Sequence, residues 1–479
     1  MVLPDNFWSR ICVEDDSNLQ LGQSVSISGD GTLLIASGVG DTILYEYDSD
    51  TWIIREKFKS RLAENFNGGY SSDISRDGSH IIVGAPYESA SGHNKGAAQI
   101  FIFDDDEWLQ KGITIIGDKE NDEFGFDVGL SNDGTKILVS APGGRYARVF
   151  TFESPQWVYN SKNNFGNRAS DSLFGYSSSI SGSGDFTVIG APAFNSNVGL
   201  VRAYDLIDHE VIDQILDDSP ENDFGAAVTV SEDGTSFAVG DPNHGIVRVY
   251  RKNILSNTWV QVGKDILFQS EKFGSSLALI GSGAKIVVGA PENSFNGTKS
   301  GATYVFEYDP LPDGDVWPMV GDWKQKGDPF YGFERDEKCG LDVSLSSDGT
   351  RIVTSCPGAD NNRGRVCVYS EPAVTDDTFQ PSLQPTMMPT THLSNSPSFY
   401  PTIHYSKLPS IQNFPTNNPT NNPTKNPTNN PTKNPTAPPV NPGVSIPSPQ
   451  PPHKIVLTLV GLAVTFIWGF GAAGIFGSS

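Results

Sequence analysis

The chain has 479 residues, 37% of them hydrophobic and 10% aromatic, so it can bury a large core and its class is globular with appendages. Its formal net charge of −23 is unevenly placed: only Asp376 and Asp377, against Lys407, Lys425, Lys433 and Lys454, follow Pro372, which leaves −25 on residues 1–372. That balance excludes nucleic acid as a partner, because phosphate binding depends on basic patches.

In chain order, Met1 to Arg10 shows no basic region followed by an apolar run, so no signal peptide is visible. The chain is read either as cytosolic or as one whose start lies further upstream. From Leu21-Gly22 a pattern begins that recurs at Gly68-Gly69, Phe124-Gly125, Phe174-Gly175, Phe224-Gly225, Phe273-Gly274 and Cys339-Gly340. Seven copies at steps of about fifty residues mark a repeat architecture. In each copy an Asp-Gly-like pair, as in Ser28-Gly29-Asp30-Gly31-Thr32 or Ser231-Glu232-Asp233-Gly234-Thr235, joins two short β-branched runs as a two-residue hairpin. The second run ends at Gly-Ala-Pro or a relative (Gly84-Ala85-Pro86, Gly190-Ala191-Pro192, Gly240-Asp241-Pro242, Gly289-Ala290-Pro291), where proline removes a ladder donor. A third strand follows, and a fourth is headed by Trp52, Trp108, Trp157, Trp259 or Trp323. Seven four-stranded units without helices predict an all-β fold, a seven-bladed β-propeller over residues 1–370. Within the first strands large residues such as Val25 and Ile27 alternate with small ones such as Ser24 and Ser26, as face-to-face stacking of blades requires.

Phe-Gly followed by Gly-Ala-Pro resembles the FG-GAP repeat of the integrin alpha-subunit propeller, over roughly residues 8 to 370. Calcium-binding blades of that family carry an Asp-x-Asp-x-Asp-Gly type loop between the first two strands. Here it has shrunk to Ser-x-Asp-Gly-Thr, too short to supply the six or more oxygens calcium takes, so no metal ligand and no cofactor is assigned. The resemblance also implies that the Phe-Gly strand is innermost and the Trp strand outermost. Residues 7–13 would then form the outer strand of blade 7, antiparallel to Arg365–Tyr369, and all four cysteines would fall in that blade. On this arrangement Cys12 lies beside Cys367, and Cys339 beside Cys356. A Cys356–Cys367 bridge flanking a hairpin, or four buried thiols, are the alternatives.

Twenty of the 33 prolines fall between Pro372 and Pro452, in runs such as Pro415-Thr416-Asn417-Asn418-Pro419-Thr420. Residues 371–454 therefore read as a disordered Pro/Thr/Asn-rich stalk. Asn296-Gly297-Thr298 is the one sequon, a glycosylation candidate. From Ile455 to Gly477 no residue is charged, a length that crosses a bilayer as one C-terminal transmembrane helix. Three topologies fit: a single-pass anchor with the propeller outside, a tail anchor, or a cleaved GPI signal.

Chemistry is sparse. There is no phosphate loop, paired Cys-x-x-Cys or His-Glu-x-x-His, and a propeller glycosidase would need two carboxylates converging on the channel. The matching inward position holds Asp127 in blade 3 and Asp342 in blade 7, four blades apart, with Asp73 one register along. These are poor partners for a dyad, and no catalytic residue is assigned. Acids cluster instead in loops entering Phe-Gly, which share a rim with the loops after Gly-Ala-Pro. Asp122, Glu123, Tyr87, Glu292 and Asp360 are the rim residues singled out, since loops on a rigid scaffold carry binding function. The favoured reading is a non-enzymatic, membrane-anchored adhesion-type propeller on a stalk with a protein or glycan ligand. The alternatives are a carbohydrate hydrolase or lyase and a tail-anchored intracellular scaffold. Calcium titrated calorimetrically into the protein is expected to reveal no micromolar sites; sites lost on mutating Asp133, Asp233 and Asp348 would overturn the assignment.

Overall fold

The computed structural model describes residues 8–14, 19–59, 69–166, 172–195, 197–216, 223–253, 258–268, 271–310 and 321–372. All lie in the first of two compact units, Met1–Ser382. The second unit, Leu383–Ser479, with most of the expected stalk and the segment Ile455–Gly477, lies outside the described residues. Among the described residues no helix is long and apolar enough to cross a membrane.

Seven antiparallel sheets follow one another, each built as inner, second, third and fourth strand. The inner strands are Ser24–Ile27, Ser71–Ile74, Val128–Leu130, Ser177–Ile180, Ala227–Val230, Ser276–Leu279 and Val343–Leu345. Each packs against the next and the last against the first, so the sheets close into a seven-bladed propeller. Blade 7 is completed by the N-terminal strand Ser9–Glu14, which pairs antiparallel with Arg365–Ser370 and sets Cys12 opposite Cys367. The strand begins later than expected: Phe7 lies outside the described residues, and Trp8 packs edge-on against Phe330. Both disulfides of the expected arrangement are present, Cys12–Cys367 and Cys339–Cys356. The Cys356–Cys367 alternative does not form.

The repeat motif has a steric cause. The last small residue before Ala-Pro in one blade meets the Phe-Gly glycine of the next: a Cβ at Gly84, Gly190, Gly240 or Gly289 would collide with the carbonyl oxygen of Gly125, Gly225, Gly274 or Gly340. The Phe-Gly glycines take left-handed φ, 89° at Gly125 and 87° at Gly225, which favours glycine there. The phenylalanine before each is driven into the layer between blades. Phe124, fully buried, sits among Ile82, Ala98 and Ile100 of blade 2 and Val139, Phe150 and Trp157 of blade 3.

Two local expectations are corrected. The Asp-Gly hairpins are four-residue loops: Ser28 N–H donates to Leu33 O, and within the loop Gly31 N–H donates to Ser28 O. Only the glycine takes left-handed φ, because the aspartate is held by its own side chain. Asp30 Oδ1 accepts from the Ser28 hydroxyl and from the Thr32 amide and hydroxyl, at 2.6 to 2.9 Å. Asp77, Asp133, Asp233 and Asp348 repeat the pattern. Secondly, the fourth strand is not one piece in every blade. In blades 2, 3, 5 and 6 a second short strand (Ile115–Ile116, Asn164–Gly166, Ile266–Leu267, Phe330–Tyr331) pairs with the start of the third. In blades 1 and 4 the same place holds a bulge, at Leu44/Tyr45 and Ala203/Tyr204. A break or bulge there lets the outer strand bend and follow the right-handed twist of the sheet.

The two disulfides differ in what they close, a separation of 355 residues for Cys12–Cys367 and 17 for Cys339–Cys356. Loop entropy assigns about 6 kcal/mol to the first and about 3 to the second. Cys12→Ser is expected to lower the thermal midpoint clearly more than Cys339→Ser in differential scanning calorimetry; an equal loss would refute the closure argument.

Candidate functional site

The inner strands present one unpaired edge to the central channel, and the amides on it need acceptors. Counting from the Phe-Gly glycine, side chains two and four residues on accept from amides three and five residues on in the following blade. Asp342 Oδ2 accepts from Val25 N–H at 2.7 Å and Ser344 Oγ from Ile27 N–H at 3.2 Å. Ser24 Oγ accepts from Ser72 N–H, Asp73 Oδ2 from Leu130 N–H at 2.8 Å, Asp127 Oδ2 from Ser178 N–H at 2.6 Å, and Ser179 Oγ from Val230 N–H. The relay runs from blade 7 through blade 1 to blade 5. Serines in the same collar, Ser71, Ser177 and Ser276, donate to the Gly125, Gly225 and Gly340 carbonyls.

The channel acids are thus bonded to backbone, yet they stay electrostatically notable. Burial pushes the Asp127 carboxyl up to about 7, against the hydrogen bonds from Ser178, and the charge on Asp342 adds to the rise. Burial likewise lifts Asp342 to about 6, opposed by the Val25 and Val343 amides, and Asp73 is raised by burial too. Four blades of separation in a ring of seven sets Asp127 and Asp342 across the channel from one another, close enough for one charge to act on the other.

A cavity of about 360 Å³ occupies this channel. At the hairpin end it is bridged by groups from four blades: Glu232 accepts from the Asn132 amide at 2.7 Å and the Ser347 hydroxyl at 2.9 Å, with Arg76 Nε 3.9 Å away. Arg76 also donates to Leu345 O. At the Phe-Gly end the lining is one-sided. Tyr70, Phe126 and Tyr176, which directly follow the glycine in blades 2 to 4, form a continuous aromatic wall with ring centroids 4.9 and 5.2 Å apart. The same position in blades 1, 5, 6 and 7 holds Gln23, Ala226, Ser275 and Leu341.

The rim residues have separate fates. Loops entering Phe-Gly and loops after Gly-Ala-Pro are laced together, for example by Glu123 N–H to Asn94 O and Asp336 N–H to Thr298 O. Asp122 is buried, accepting from Lys119 N–H and the Tyr146 hydroxyl at 3.0 Å. Glu123 is half-buried with φ of 58°, and burial raises its carboxyl. Tyr87 extends the aromatic wall, edge to face with Tyr70 at 5.5 Å. Glu292 pairs with Lys299 at 3.0 Å and Asp360 with Arg363 at 3.2 Å. Asn296 is exposed and donates to Gly332 O. Of the five, the structure thus joins Tyr87 to the mouth; Tyr70, Phe126, Tyr176 and the Arg76–Glu232 bridge were missed. The aromatic residue after Phe-Gly in three consecutive copies is the signal that marks the wall.

Because Asp127 holds its proton more tightly folded than in an unfolded chain, where an aspartate titrates near 3.9, its contribution to stability is full at low pH and is lost as pH rises through about 7. Asp127→Asn keeps an acceptor for Ser178 without the charge. It is expected to flatten the fall in thermal midpoint between pH 5 and 8 and to raise the midpoint at pH 8; an unchanged pH profile would count against burial as the cause.

Comparison with known families matches residues 269–306, which take in the first two strands of blade 6 and reach into its third, to the FG-GAP repeat. No curated protein matches the chain. Among solved structures, the β-propeller domain of Cps50 (Swd1) from Myceliophteria thermophila is similar, with a TM-score of 0.50 at 12% identity, covering 75% of this chain and 99% of that one. Hydrazine synthase of Kuenenia stuttgartiensis aligns at a TM-score of 0.49 and 14% identity, over 76% of this chain and 98% of that one. At such identities the likeness to Cps50 concerns the fold alone. The chain is a seven-bladed β-propeller bearing FG-GAP repeat sequence, consistent with an integrin-alpha-like propeller.

Proposed function

We propose that the chain is a non-enzymatic binding module of the adhesion type, held at a membrane by residues 455–477 on its Pro/Thr/Asn-rich stalk, with the propeller outside the cell and a protein or glycan as ligand. The observation that carries this reading is the channel. Its inward acids are committed to backbone amides of the neighbouring blade, its hairpin end is bridged by side chains, and its Phe-Gly end carries an aromatic wall. A rigid ring with one such mouth suits recognition, since binding residues sit on loops positioned by a scaffold. Two disulfides support an oxidising compartment for the propeller. One observation favours hydrolysis as a second reading: Asp127 titrates near neutrality, as a general acid must. Against it, Asp127 and Asp342 each spend a carboxylate oxygen on fastening two blades together.

Cells expressing the full-length chain are expected to stain with an antibody to the propeller without permeabilisation and to adhere to surfaces through the rim. Adhesion should fall when Tyr87 and Glu123 are both replaced by alanine. Staining only after permeabilisation, or adhesion indifferent to the rim, would sink the proposal; release of reducing sugar from an added glycan by the purified protein would establish the hydrolase instead.

A further inference from the structure

The mouth of the channel is chemically lopsided, and this narrows what it can hold. One wall is a run of three rings, Tyr70, Phe126 and Tyr176, extended by Tyr87. The facing wall is Gln23, Ala226, Ser275 and Leu341, and the floor is lined by serine hydroxyls and the recessed carboxyls of Asp73, Asp127 and Asp342. Tyr176 is 38% exposed, so part of the wall faces solvent. We propose that this mouth is a carbohydrate subsite that takes the terminal pyranose of a glycan, its C–H face laid on the Tyr70–Phe126–Tyr176 wall and its hydroxyls turned to Gln23, Ser275 and the polar floor. The proposal rests on the binding reading above and names its ligand class.

A pyranose has the same asymmetry as the site, one apolar face and a rim of donors and acceptors. An apolar peptide side chain would match the ring wall alone and offer nothing to the Gln23 amide opposite it. An ammonium or guanidinium group is best held with ring faces around it, whereas the rings here stand on one side only, and the floor carboxyls already accept from backbone amides. A cavity of about 360 Å³ is at the small end of ligand pockets, suited to one or two sugar units rather than a folded partner. Each glycan end would dock singly, and binding would be weak per site, on the order of millimolar.

The test is saturation-transfer NMR on the full-length protein in detergent micelles with the methyl glycosides of glucose, galactose, mannose and N-acetylglucosamine. N-acetylarginine methyl ester serves as the cationic probe. Transfer is expected to at least one glycoside, strongest at the ring C–H groups of one face. Tyr176→Ala should weaken it roughly three- to tenfold, as loss of one aromatic contact does, while Tyr176→Phe should bind as the parent does. Gln23→Ala should weaken it independently, with the thermal midpoint unchanged in Tyr176→Phe and Gln23→Ala. No transfer to any glycoside, transfer indifferent to Tyr176→Ala and Gln23→Ala, or displacement of the sugar by the arginine probe at lower concentration overturns the proposal. If the glycosides fail while rim-dependent cell adhesion persists, the sugar site falls and the binding reading stands; glycoside binding without adhesion separates the two the other way.

Discussion

Everything in this ring depends on how the exposed edge of each inner strand is satisfied. An unpaired strand edge is a row of amides seeking acceptors, and a propeller turns seven of them toward its central channel. This chain meets them with short side chains from the preceding blade, at positions two and four after the Phe-Gly glycine. That single requirement explains why the inner strands are rich in serine, why Asp73, Asp127 and Asp342 stand where they do, and why the relay lapses at Ala227 and Ala278, which have nothing to offer an amide. It also sets a direction around the ring, since from blade 7 through blade 4 each blade supplies acceptors to its successor.

The same neighbour-to-neighbour logic governs the outer layers. Small residues ahead of Ala-Pro admit the Phe-Gly turn of the next blade, and the buried phenylalanine fills the layer that this approach creates. A blade here is therefore incomplete alone: its backbone edge, its turn and its apolar face are all finished by the adjoining blade, which is why stability in such arrays comes from interfaces between repeats as much as from the repeats. Blade 7 finds its neighbour in blade 1, and its own fourth strand is supplied by the first strand of the sequence.

Much of this was legible in the sequence, because steric demands leave residues that cannot vary freely. The glycines of Phe-Gly and Gly-Ala-Pro mark backbone approaches, and their spacing displays seven blades directly. The inward register of Asp127, Asp342 and Asp73 was also visible in the alternation of the inner strands. Their role was not, because their partners are backbone amides of another repeat, and an amide leaves no trace in residue identity. Asp122 was read as a rim residue for a related reason: its acidic neighbours suggest solvent, while the Tyr146 hydroxyl and the Lys119 amide draw it inward. The aromatic wall was obscured by the repeat itself. Tyr70, Phe126 and Tyr176 occupy a position held by Gln23, Ala226, Ser275 and Leu341 elsewhere, so averaging over copies erases the difference that makes the mouth one-sided.

The closure of blade 7 also fixes how the propeller bears load. The described chain leaves the ring through Arg365–Ser370, a strand flanked on one side by Arg351–Cys356 and on the other by Ser9–Glu14. Tension applied beyond Glu371 enters at Ser370 and would unzip hydrogen bonds in sequence from that end. At Cys367 it reaches a covalent link to Cys12, and the force passes into the N-terminal strand instead of peeling the sheet further. A pull on the chain beyond Glu371 is thus met by a fastening placed in the very strand through which the chain leaves the ring.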